Sequence, residues 1–213
     1  MPNTNAPFGF RAFGHRDGNA PTMGQMRFTI NSSDPNSYFT GDLVALSSAT
    51  PGTLQPFFGS SLVPLPLGVF NGCEYYSPSV ARQVWSQTYL TGAGAASSTP
   101  VTAYVVTDTD MLYIGQVSSA NIASSNSIGS LVAISTAAGP GNSLTGQSGM
   151  TISSSYGIAG AASSLPWRII DSYANTAPFG ANGTDNSSAQ FYGILVLAPN
   201  NWVFNAGTIG PSS

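Results

Sequence analysis

Lysine is missing altogether from this chain of 213 residues, and charge of either sign is scarce. Charged residues make up 6 % of the sequence, against ~25 % in ordinary soluble domains. The five basic residues are all arginine: Arg11, Arg16, Arg27, Arg82 and Arg168. They face eight acids, for a formal net charge of −3, which leaves no broad basic footprint for nucleic acid. No apolar run approaches the ~18 residues of a membrane-spanning helix, the densest being Ile194 to Ala198. The start, MPNTNAPFGF, lacks the basic and apolar regions of a secretory signal. No nucleic-acid partner and no membrane are therefore expected.

Catalytic material is equally thin. There is one cysteine, Cys73, and one histidine, His15. A lone cysteine forms no intrachain disulfide and reads as a small buried hydrophobe. A Cys–His dyad or a Ser–His–Asp triad would need its base on the Asn/Pro/Gly-rich N-terminal stretch, a poor platform for proton transfer. One His and one Cys are too few for a zinc site, so no metal is expected. The glycine-rich stretches Gly139-Pro140-Gly141 and Gly146-Gln147-Ser148-Gly149 have no phosphate-binding lysine to accompany them. No catalytic residues and no cofactor are assigned.

What the chain does have is hydrophobic residues, at 42 %, together with 24 glycines and 15 prolines. That much apolar content argues for a folded core rather than disorder. The surface must then be mostly Ser, Thr, Asn and Gln, which is weak in charge repulsion and suited to contact with other protein. Short runs rich in β-branched and aromatic residues alternate with Gly/Pro/Ser/Asn loops, and no helix of ten residues stands out. The stretch Val101 to Ser118 carries two such runs around Asp108-Thr109-Asp110. It predicts a central hairpin, with the two aspartates serving the turn by bonding their own backbone. The expected fold is all-β: a single sandwich or barrel-like domain over residues 26–213, behind an extended N-terminal arm over residues 1–25.

The arm holds the candidate interface residues. Phe8, Phe10 and Phe13 lie with Arg11, His15 and Arg16 among residues that favour no regular structure. Rings and cations of this kind are enriched where proteins dock. The expectation is a hook onto a neighbouring subunit, the alternative being an arm folded back on its own domain. A second set, Tyr75, Tyr76, Trp85 and Tyr89, interleaves aromatics with polar residues and could stack on sugars, or pack in the core.

The order of several short motifs adds a resemblance. Gly9-Phe10-Arg11, Phe39-Thr40-Gly41-Asp42-Leu43-Val44, Gly68-Val69-Phe70-Asn71-Gly72-Cys73, Asp108-Thr109-Asp110-Met111-Leu112-Tyr113 and Trp167-Arg168-Ile169-Ile170 follow one another along most of the chain. In this the chain resembles the small capsid decoration, or cement, proteins of tailed bacteriophages. It departs from them in having Ala12 where proline often follows Gly-Phe-Arg. It departs again in ending with Asn200-Asn201-Trp202-Val203-Phe204 rather than a polar Asn/His strand. The resemblance implies a non-enzymatic protein on the outer face of an icosahedral head, clamping neighbouring copies of the major capsid protein. It also implies self-association, as a homotrimer or alternatively a dimer. The competing readings are a carbohydrate-binding β module of a phage head or tail fibre, and a hydrolase with an unrecognised site.

Overall fold

The computed structural model describes residues 5–20, 24–58, 65–91, 100–118, 128–135, 141–157, 165–173 and 192–205. All regular elements among them are strands. In chain order these are β1 (Arg11–His15), β2 (Gln25–Ile30), β3 (Tyr38–Phe39), β4 (Leu43–Leu46), β5 (Leu54–Pro56), β6 (Pro66–Ser77), β7 (Arg82–Ser86) and β8 (Thr88–Tyr89). There follow β9 (Val101–Val106), β10 (Met111–Gln116), β11 (Leu131–Ser135), β12 (Gly141–Asn142), β13 (Gln147–Ser148), β14 (Thr151–Gly157), β15 (Trp167–Ser172) and β16 (Ile194–Pro199). The first sheet runs β1-β10-β16-β15-β11-β14. The second runs β2-β9-β6-β4-β5, with β7 added to the far half of β6. Two short ladders, β3–β8 and β12–β13, complete the framework.

The main core lies between the sheets. Leu43, Ala45, Val69 and Val106 enter it from the second sheet, and Met111, Tyr113, Val132, Trp167, Ile169 and Leu197 from the first. Trp167, Tyr113, Trp202 and Phe10 form a chain of ring contacts there, with centroids 4.8 to 5.7 Å apart. The second sheet buries its other face as well. Val44, Leu67, Phe70, Cys73, Val101, Ala103 and Val105 pack beneath Tyr38 and Tyr89 of the β3–β8 ladder. A stretch covered on both sides must be apolar on both sides, as Val105 and Val106 are at the end of β9. Cys73 is fully buried in this second cluster, and burial pushes its thiol pKa up to about 12, as a structural cysteine requires.

The expected hairpin of β9 and β10 is not formed. β9 pairs with β2 and β6 in one sheet, and β10 with β1 and β16 in the other. Residues 107–110 cross from sheet to sheet as an arch, delivering Val106 and Met111 to the same core from opposite walls. The turn chemistry of the aspartates survives, since the Asp110 amide donates to Asp108 Oδ1 at 2.9 Å. An apolar run says that a strand is covered but not which strand lies beside it.

The N-terminal stretch also differs from the expected free arm. Residues 11–15 are an edge strand paired antiparallel to β10, with a bulge at Phe13. Phe10 is 2 % exposed and sits in the main core, its ring 4.8 Å from Trp167. Residues 1–4 and 21–23 lie outside the described residues.

Candidate functional site

Gly9-Phe10, the Phe39 to Asp42 stretch and Phe70 meet at one place. Phe10 N–H donates to the Gly41 carbonyl at 2.9 Å, Gly41 N–H to Phe70 at 2.9 Å, and Phe70 N–H to Asp42 at 2.8 Å. Gly9 passes through the left-handed region at φ +72°, and a Cβ there would lie 2.5 Å from Ser148 Cβ and 2.7 Å from the Gly41 carbonyl oxygen. Only glycine fits such a crossing. Beneath it Asp42 is buried. Its Oδ2 accepts the Phe39 amide at 2.8 Å, while Oδ1 has no partner of that kind. Burial pushes the Asp42 pKa up to about 7, against the opposing pull of the Ser148 hydroxyl and the Phe39 amide.

Around this knot opens a cleft of about 320 Å³, within the ~300–1,000 Å³ range of small-molecule sites. Arg11, Thr40, Asn71, Gln87, Thr145 and Gln147 supply its polar walls. Phe10, Val69, Val106 and Tyr113 line it as well, and the buried Tyr113 hydroxyl has no hydrogen-bond partner. The Thr40 hydroxyl donates to the Gln87 carbonyl at 2.8 Å, holding two walls together.

The six candidate residues of the N-terminal stretch separate into three groups. Phe10 is core. His15 and Arg16 are fastened to the arch: His15 Nε2 lies 3.4 Å from Asp108 Oδ2, and Arg16 Nη1 lies 3.4 Å from Asp110 Oδ1. His15 Nδ1 faces Asp17 Oδ1, and that hydrogen bond is the main reason the imidazole pKa is raised. Both ring nitrogens thus meet carboxylates, and Cys73 is in the second cluster, so the structure does not bring a Cys–His dyad together. Phe8, Arg11 and Phe13 remain at the surface. Phe8 is half-buried with the Arg11 guanidinium 5.0 Å above its ring, and Phe13 is 48 % exposed with its edge toward Tyr173.

Of the second aromatic set, Tyr89 is core and Tyr75 packs against it, with centroids 6.1 Å apart. Trp85 is 55 % exposed and Tyr76 half-buried. No group of three His, Cys, Asp or Glu side chains with metal-binding geometry occurs among the described residues.

A surface feature absent from the sequence reading is Leu144, at 95 % exposure. It caps the turn between β12 and β13. Asn142 Oδ1 accepts the amides of Leu144 at 2.9 Å and Thr145 at 3.3 Å, and Gly146 N–H closes on the Asn142 carbonyl at 2.8 Å. The ladder is in turn pinned to the knot, with Thr40 N–H on Gly146 and Ser148 N–H on Thr40, both at 3.0 Å. The local signal was a leucine framed by Asn142 and Gly146 in a turn.

No protein family, curated protein or solved structure matches this chain.

Proposed function

We propose that this is a virion structural protein that binds the outer face of an icosahedral phage head and cements neighbouring copies of the major capsid protein. The observation that carries the reading is Leu144. A fully exposed leucine on a loose loop would be unremarkable, because single exposed apolar residues are common. This one stands on a turn closed by three hydrogen bonds and anchored to the core, so its position is fixed before any partner arrives. Prior ordering removes much of the entropy that docking a flexible segment would cost.

The rest of the surface suits the same work. Phe13, Phe58, Ile170 and Phe204 are exposed on a chain with few charges to keep other protein away. Burying one leucine or phenylalanine contributes ~1.5–3 kcal/mol, so single knobs add to a broader contact. Binding the assembled lattice and not its free subunits stabilises the lattice by linkage, with no chemistry needed. Self-association as a trimer, or alternatively a dimer, would multiply such contacts by raising effective concentration. In this reading the protein is not an enzyme, and its place is the outside of the virion.

The test is co-sedimentation of purified protein with heads that lack it. Saturable pelleting, together with heads that resist heating better when loaded, is the expected result. Protein that stays in the supernatant at all concentrations would end the proposal.

A further inference from the structure

The second sheet is longer than the first sheet's cover. On β9, Val106 faces the inter-sheet core, and Tyr104 and Thr102 follow on the same face by strand alternation, half-exposed. Register carries that open face across four strands. Arg27 stands opposite Tyr104, Tyr104 opposite Gly72, Thr102 opposite Glu74, and Glu74 opposite Trp85. Trp85 leans over Gly72, where a Cβ would lie 2.8 Å from the indole Cζ2 and where φ is +131°. Glycine at this position lets the indole lie against the backbone, leaving the ring 55 % exposed. The open face does not end in solvent. Tyr104, Gly72 and Trp85 lie one or two residues along the chain from Val106, Asn71 and Gln87, which line the polar cleft.

We infer that this open face and the cleft at its end form one groove for an extended, carboxylate-bearing oligosaccharide. The reading goes beyond capsid binding and does not depend on it. Three features select the ligand class. The apolar surface is the exposed Trp85 ring with the half-exposed Tyr104 ring on the same face, set among Glu74, Thr102 and Gln83, too broken for a protein interface core yet suited to the C–H face of a sugar. The cleft walls are amides and hydroxyls, which both donate and accept, as sugar hydroxyls require. The charges then divide. Arg27 lies 5.7 Å over the Tyr104 ring, and Glu74 accepts a hydrogen bond from the Tyr104 hydroxyl, so this pair is internally engaged. Arg11, at the cleft, lies over the Phe8 ring as Arg27 lies over Tyr104, but it has no acid beside it among the described ion pairs, so its fork can still take a carboxylate.

Tryptophan fluorescence reads the groove directly, because Trp167 and Trp202 are fully buried and only Trp85 meets solvent. The probes are a hexamer of galacturonic acid and, as its neutral counterpart, cellohexaose. The acidic hexamer should shift and saturate the emission of the wild type, weakening as salt is raised, with the neutral chain bound about tenfold more weakly. Trp85→Ala, followed by calorimetry since the fluorophore is lost, should weaken the acidic hexamer about tenfold. Gln87→Ala, which leaves Gly72 covered, should weaken it several-fold and guards against a folding defect in the first variant. Arg11→Gln should bring the acidic chain down to the affinity of the neutral one. Binding of neither chain, or binding indifferent to both Trp85→Ala and Gln87→Ala, would overturn the groove. Equal affinity for the two chains in the wild type would overturn its acidic character. Head co-sedimentation of Trp85→Ala should equal wild type, which separates failure here from failure of the capsid reading.

Discussion

Residues 8–16 and the β12–β13 ladder both place apolar side chains beside glycines, and those side chains have opposite fates. The first segment is rich in phenylalanine and cations, and the second holds one leucine among Asn, Ser, Thr and Gln. In the first, Phe10 turns into the main core, while His15 and Arg16 are tied to the arch. In the second, Leu144 turns fully outward. What separates them is the backbone. Residues 11–15 find a sheet edge at β10, so the chain is drawn inward. Residues 142–146 close on themselves through Asn142, so the turn's tip has nowhere to go but out. Composition shows that an apolar residue wants cover. Backbone hydrogen bonding decides whether the cover is the same chain.

Phe10→Ala should therefore be the most damaging change on either segment. It deletes a ring packed on Trp167 and should cost about 3–5 kcal/mol, read as a large drop in the denaturant midpoint. A loss below ~1 kcal/mol would restore the free arm.

Asp42, the floor of the N-terminal crossing, should make stability depend on pH. Its folded pKa of about 7 lies above the ordinary 3.8, so the folded state holds a proton that the unfolded state releases. Stability should then fall as pH rises from about 4 to about 7, by an amount on the order of 2–4 kcal/mol, and level off above. Asp42→Asn should flatten that fall in urea melts taken across the window. An unchanged slope would show that Asp42 does not carry the proton.

Two glycine substitutions sharpen the comparison further. Gly9→Ala meets Ser148 Cβ and a backbone carbonyl, whereas Gly146→Ala meets chiefly the movable side chain of Gln87. Both pay about 1–2 kcal/mol for left-handed backbone, and only Gly9→Ala adds a clash that cannot yield. Thermal melts should rank Gly9→Ala as clearly the worse. The reverse order would mean that the ladder, not the crossing, is the tighter structure.

The smallest effect is expected at His15. Its raised pKa stabilises the fold below the unfolded value of 6.5 and ceases to do so as pH rises through the folded value. His15→Gln should remove a slight part of the pH slope that Asp42→Asn leaves behind. The change should be small because Asp17, the main partner, is exposed and water screens the pair.

The all-β class was legible because β-branched and aromatic runs between turn residues leave little other choice. Cys73 was legible as core for want of any partner to react with. Strand pairing was not. Val101 to Val106 and Met111 to Gln116 are both apolar on two faces, and such runs fit equally beside each other or in separate sheets. The candidate site suffered the same ambiguity from the other side. Tyr104 lies between the buried Ala103 and Val105, and nothing in that run shows that the sheet outruns its cover there. Of the aromatics singled out for stacking, Tyr89 differs from Trp85 by belonging to the β3–β8 ladder that packs on the second sheet, a tertiary fact no local pattern carries. Leu144 was overlooked because a leucine within Gly139 to Gly149 reads as a stray residue in a loop.

The most direct measurement is head co-sedimentation of Leu144→Asp beside the wild type, with the thermal melt of each taken in the same buffer. A side chain at 95 % exposure supports no core, so the melts should agree within ~0.5 kcal/mol of stability. A charge on the tip of a pre-ordered knob should nonetheless exclude it from an apolar socket. The account expects wild type in the pellet and Leu144→Asp largely in the supernatant. Equal pelleting of the two folded proteins would contradict it.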